Sequence, residues 1–328
     1  MATNLDERPA ADLAGRAPRW LRRIFVANLV AQIGIVVTGG IVRLTGSGLG
    51  CPTWPECAEG SYIPTSRQAE SWHKHVEFGN RLLTFVLAAL AIAAIVGAFS
   101  WWRRNRRQGT DPRTPVLALA AIPIVGTVIQ ALLGGVTVLT GLNPWAVAAH
   151  FLVSMAIIAG CVVLVVRAAE PGDTPVTVVV RREIRLLARA LVAVTAVVVV
   201  LGVIVTGSGP HSGDADVEAR FGLDPRTVSW LHADSVLLFL GLTVGLAVAL
   251  RVTHAPARTQ RMTALLLAVS LAQGIVGYAQ YFSGLPWILV AIHMLGASLV
   301  WALAIFVLLS MRTRGLAPVD HVAVPNPS

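Results

Sequence analysis

Eight apolar runs, near 24–44, 78–102, 115–140, 144–167, 186–206, 228–251, 262–282 and 286–311, constrain this 328-residue chain more than any other feature. A helix rises about 1.5 Å per residue, so roughly 20 apolar residues cross the hydrocarbon core of a bilayer. Only 13% of the residues are charged, against about 25% in soluble domains, and that leaves too little polar surface to cover eight such segments. The predicted fold class is an all-α membrane protein, with eight transmembrane helices arranged as two pseudo-symmetric four-helix bundles. An even number of crossings puts both termini on the same side.

The formal net charge of +9 is not a nucleic-acid footprint, because the basic residues are sorted between the runs. Segments 1–23, 103–113, 167–189, 251–261 and 312–314 hold 20 of the 26 Lys and Arg. Basic residues accumulate in cytoplasmic loops, so these segments and both termini are expected inside the cell membrane. Arg43, Arg67, Lys74, Arg81, Arg220 and Arg226 fall on the outer side. The expected divisions are a cytoplasmic N-terminal segment 1–23, a four-helix half 24–168, a cytoplasmic linker 169–185, a second half 186–311 and a cytoplasmic tail 312–328. Residues 1–23 lack the apolar core and cleavage site of a signal peptide, and the Pro-rich stretch after Arg314 reads as disordered.

The chain repeats itself. Two long outward loops, 46–75 and 208–227, each follow the first helix of a half and open on Thr-Gly-Ser-Gly, at Thr45–Gly48 and Thr206–Gly209. Gln130, Gly134, Gly141, Leu142 and His150 recur as Gln273, Gly277, Gly284, Leu285 and His293, all at an offset of 143. A weaker match at offset 152 pairs Asn80 with His232. Halves of four helices run in the same direction, which makes this a parallel repeat about the membrane normal.

Of the eight His, His254 and His321 lie in cytoplasmic segments and His211 in an outer loop, where a solvated side chain is the simplest reading. His73 and His75 open the second helix. His150, His232 and His293 lie inside even-numbered helices, roughly 7–10 Å below their outer ends at 1.5 Å per residue. Ionisable residues at membrane depth are costly and point to function, although a single intramembrane His often serves as a helix-to-helix hydrogen bond. Three at one level suit a planar iron porphyrin held edge-up between helices, with an imidazole on each face. His232 and His293 are positioned to clamp one heme. The matching pair in the first half reads His150 and Asn80. Cys51 and Cys57, on the oxidising outer face, are read as a disulfide. Free thiols, or a zinc site with His73 and His75, are the alternatives, while Cys161 reads as a buried apolar residue.

The run from Val42 through Thr45-Gly46-Ser47-Gly48-Leu49-Gly50-Cys51-Pro52-Thr53-Trp54-Pro55-Glu56-Cys57, with His73-Lys74-His75-Val76-Glu77-Phe78-Gly79-Asn80-Arg81, resembles the heme A synthase family over roughly residues 20–312. The resemblance implies oxidation of a ring methyl of heme O to a formyl group, giving heme A for terminal oxidases. It implies heme b as cofactor on His232 and His293, and His150 as a ligand of the substrate heme. Glu77, an acidic group beside that heme, would be catalytic together with His150, and Asn80 and Arg81, on the same helical face as Glu77, would contact the substrate heme with His150. The expected partners are heme O, a heme O synthase and a membrane electron acceptor or donor, with homo-oligomerisation left open. Asn80 departs from the Glu-x-x-His-Arg motif of the family. The substrate iron is then expected to be five-coordinate through His150, or to take His73 or His75 in place of the absent ligand. Glu77 can also simply pair with Arg81 at i+4, and Arg43 and Arg81 can bind propionates or snorkel to the interface. The alternative function is a diheme b-type electron-transfer cytochrome, and the third is a transporter. A heme-making prenyltransferase is disfavoured, since no Asp-rich pair able to hold magnesium pyrophosphate lies in the helices.

Overall fold

The computed structural model describes residues 15–211, 213, 214 and 220–314. Eight helices fill it: α1 (Arg19–Leu44), α2 (His73–Arg107), α3 (Thr114–Leu139), α4 (Pro144–Ala169), α5 (Arg182–Ser208), α6 (Pro225–Val252), α7 (Ala257–Phe282) and α8 (Trp287–Ser310). All eight are long and apolar enough to cross a membrane. Their outer faces carry Val30, Phe85, Leu132, Leu237 and Ile275, each more than half exposed. Water would penalise such a surface and lipid does not, so the chain is a multi-pass membrane protein. The disorder read for the Pro-rich tail concerns residues outside those described, as does His321.

The helix ends follow local chemistry. Proline at the first position suits the start of α4 and of α6, because its missing N–H would have no partner there. Asn143 accepts from the Trp145 N–H, and Asp224 accepts from the N–H of Thr227, which satisfies donors that the helix leaves open. Gly141-Leu142 and Gly284-Leu285 form the same left-handed turn after α3 and α7. In each, the leucine N–H donates 2.8 Å to a carbonyl five residues back, on Thr137 or Gln280. A sequence match at offset 143 is therefore also a match in backbone geometry.

Three buried clusters set the packing. One lies among α1–α4, around Leu21, Phe25, Ala94, Val116 and Leu164. A second lies among α5–α8, around Ile184, Leu191, Phe239, Leu246, Leu266 and Val307. The third joins α1 and α4 to α8 through Leu29, Ile33, Ile158, Ala302 and Ile305, and there the Trp301 indole N–H donates to the Met155 carbonyl at 2.8 Å. In each set of four, neighbours in sequence pack together and the first helix also meets the fourth.

The ends of these sets are pinned. The Ala17 N–H donates to the Ala168 carbonyl at 3.0 Å, bringing the entry to α1 beside the exit of α4. After α4, strand β1 (Thr177–Val178) pairs antiparallel with β2 (Arg312–Thr313), past the end of α8. The segment expected only as a linker, and the first residues of the expected tail, thus form a small β-staple. Beside it, the fully buried Arg113 donates to the carbonyls of Gly15, Arg167 and Glu170. Arg167 and Arg314 pair with Glu170, and Arg167 also with Asp173.

Candidate functional site

His150, His232 and His293 each lie six or seven residues into α4, α6 and α8. Each faces a glycine on the preceding helix. A Cβ placed on Gly134, Gly202 or Gly277 would come within 3.6, 3.3 or 3.2 Å of the His150, His232 or His293 ring. On α1 and α2 the equivalent pair is Gly39 and Asn80, with 3.8 Å to the amide nitrogen. This glycine partnering places Asn80 where the other three even-numbered helices carry histidine. Nothing in the sequence alone paired these glycines with the imidazoles. Gln130 of α3 donates to the His150 carbonyl at 3.0 Å, and Gln273 of α7 donates to that of His293 at 2.6 Å. Both repeated glutamines therefore hold the backbone turn that carries a histidine.

The His232 and His293 rings approach across the second set of helices, with centroids 6.5 Å apart and planes 69° apart. Metal–nitrogen bonds of about 2 Å on two sides, plus the half-width of each ring, would put two imidazoles on one metal about 6 Å apart, centre to centre. The observed spacing matches that separation. The Nδ1 atoms of His150, His232 and His293 are buried without a partner in hydrogen-bond geometry, although the Val198 carbonyl lies beside His232. Imidazoles held at one level inside membrane helices suit a ligand set.

Asn80 turns toward α1, where its side-chain oxygen accepts from the Thr38 hydroxyl at 2.8 Å. Glu77 and Arg81 are committed to the loop between α1 and α2. Glu77 Oε2 accepts from the Cys51 N–H at 2.7 Å, and Oε1 accepts from Arg81 Nε at 3.0 Å and Nη2 at 2.6 Å. Arg81 also donates to the carbonyls of Cys51, Thr53 and Glu56. The loop is closed by the Cys51–Cys57 disulfide. Trp54, between those cysteines, lies against Gly135, where a Cβ would come within 2.6 Å of its ring. The neighbouring Gly134 is the one that faces His150, so the disulfide loop roofs the first set of helices next to that imidazole. Lys74, 8% exposed, fastens the loop by donating to the Thr65 carbonyl at 2.8 Å.

His73 and His75 are not brought to this level. The His73 ring is hydrogen-bonded to Ser47 Oγ at 2.8 Å, and His75 is exposed. Arg43 donates to the carbonyls of Thr206 and His211, at 3.0 and 2.8 Å. It thereby ties α1 to the end of α5 and the loop that follows it. That loop continues the contact through Gly213, whose carbonyl accepts from the Gly48 N–H at 2.8 Å.

A family model described as cytochrome oxidase assembly protein, COX15-CtaA, matches residues 22–305. Several proteins named heme A synthase are also similar. That of Methylobacterium sp. (strain 4-46) is 30% identical over 241 residues, 62% of each chain. That of Alkalihalophilus pseudofirmus is 29% identical over 155 residues, 46% of this chain and 48% of the relative. That of Lysinibacillus sphaericus is 33% identical over 138 residues, 42% and 41% of the two chains. In most of these comparisons the chain spans about half the length of the relatives it matches.

Proposed function

The chain belongs to the cytochrome oxidase assembly protein family, COX15-CtaA, and from that premise we propose that it oxidises one ring methyl of heme O to a formyl group, supplying heme A for terminal oxidase assembly. The observation that carries this reading is the pair of half-buried imidazoles on α6 and α8, 6.5 Å apart, whose Nδ1 atoms are buried. The names of the similar proteins support heme A as the product. In this reading α5–α8 hold heme b through His232 and His293, and α1–α4 receive heme O on His150. A heme b held by His232 and His293 would supply one-electron redox chemistry.

The remaining roles belong to this chain's own side chains. Gln130 and Gln273 hold the turns from which the ligating rings project. Glu77 and Arg81 hold the disulfide loop down, so Trp54 covers the approach to His150 and limits water. Asn80, held by Thr38, would supply no imidazole to a heme held by His150. The basic segments place both termini in the cytoplasm, and the roofed site then opens toward the outer leaflet, where a heme O synthase would deliver substrate. A homo-oligomer is compatible with this arrangement.

The test is the identity of the hemes that co-purify with the full chain and with His293→Ala. The expected result is heme b together with heme O and heme A in the wild type, and loss of heme b and heme A in the variant. Two permanently bound hemes b and no formylated heme would replace this reading with a diheme electron-transfer cytochrome.

A further inference from the structure

The basic end of the bundle carries two arginine-lined concave surfaces, one at Arg103, Arg104 and Arg107 lined only by polar residues, the other on α1 with apolar residues below it. Arg113, Arg167, Arg312 and Arg314 are each paired within the protein with Glu170 or Asp173. Arg19, Arg22 and Arg23, on the first turns of α1, form no ion pair with any described residue, and residues 15–30 contain no Asp or Glu. The Nε of Arg22 is buried without an acceptor. These three arginines line one concave surface together with Val26, Ala27 and Val30. The spacing i, i+3, i+4, i+7, i+8, i+11 places all six on one side of the helix. Charge therefore sits where α1 leaves the hydrocarbon, with apolar surface directly below it, and the half-exposed Trp20 indole lies beside it at interfacial depth.

We infer that this surface seats an anionic phospholipid, with its headgroup phosphate among Arg19, Arg22 and Arg23 and an acyl chain along Val26 and Val30. Guanidinium groups pair with phosphate oxygens in two-point fashion. A cluster of unneutralised basic residues just beyond a membrane helix attracts anionic lipid. A zwitterionic lipid offers the same acyl chain but carries its own cation, and a free phosphate would leave the apolar ridge uncovered. The inference does not depend on the heme reading.

Native mass spectrometry of the full-length protein in neutral detergent tests it, with phosphatidylglycerol and phosphatidylcholine added separately. Phosphatidylglycerol should be retained preferentially, and R19Q/R22Q/R23Q should weaken that retention roughly a hundredfold. The variant R103Q/R104Q/R107Q removes the same charge from the end of α2 and should retain the lipid. If the triple variant of α1 does not fold, Arg23→Gln alone, at an exposed position, should still cost about fivefold. Equal retention of the two lipids, or equal loss in the α2 control, would overturn the inference. Displacement of the lipid by excess inorganic phosphate would also overturn it, by assigning the arginines to a free anion.

Discussion

Glu77→Gln separates an anchoring carboxylate from one acting on substrate. In the protein Glu77 accepts three hydrogen bonds, one from the Cys51 N–H and two from Arg81. Glutamine has a single side-chain oxygen. Turned toward Arg81, it opposes its own amide donors to the Cys51 N–H; turned the other way, it opposes them to the guanidinium. Hydrogen bonds to charged groups contribute about 1.5–3 kcal/mol each. Arg81 keeps its bonds to the carbonyls of Cys51, Thr53 and Glu56, so we set the net cost at about 2 kcal/mol. At 1.36 kcal/mol per tenfold, the loop should open roughly 30-fold more often. Hydrogen exchange across Cys51–Cys57 should accelerate by about that factor, while the amides of α2 beyond Arg81 keep their protection. Lost heme oxidation with unchanged exchange in the loop would refute the anchoring role and move the carboxylate to the chemistry.

Asn80→His should convert the substrate heme to a low-spin, six-coordinate spectrum, and an unchanged spin state would show that Asn80 does not face the iron. Arg113→Met would strand the carbonyls of Gly15, Arg167 and Glu170 and remove one partner of Asp173. A loss of about 3–5 kcal/mol is expected, read as earlier thermal unfolding in detergent; an unmoved transition would count against a structural role for this network. The Thr227 hydroxyl and N–H, both donating to Asp224, hold its carboxyl below the usual carboxylate range. A depressed folded-state pKa gives a cap that is fully present above the ordinary aspartate value and is lost as pH falls through the lowered one. Protection of the Thr227 amide should therefore survive at about pH 4, fail at lower pH, and be low at every pH in Asp224→Ala.

The eight crossings were legible because bilayer thickness fixes helix length, and the structure moves their ends by only a few residues. The depth of His150, His232 and His293 was legible because each lies a similar number of residues past the start of its apolar run, and the helices begin close to those starts. The work of the arginines was not. Arg43 and Arg81 read equally as propionate ligands or snorkelling cations, since their acceptors are backbone carbonyls in loops distant in sequence, and a carbonyl leaves no residue-type signature. The glycines opposite the imidazoles were hidden for a related reason: glycine is common in membrane helices, and only the packing shows which ones face a ring. The β-staple lay beyond pattern reading altogether, because two-residue strands have no periodicity.

Each set of four helices begins where it ends, with Ala17 against Ala168 in the first and β1 against β2 in the second. Such a unit can be copied head to tail with a connector of a dozen or so residues and no threading, which is how a gene fusion would have to proceed. It also means that the loop between α4 and α5 is a natural place to cut: the two pieces, made as separate chains, should find each other through α1, α4 and α8.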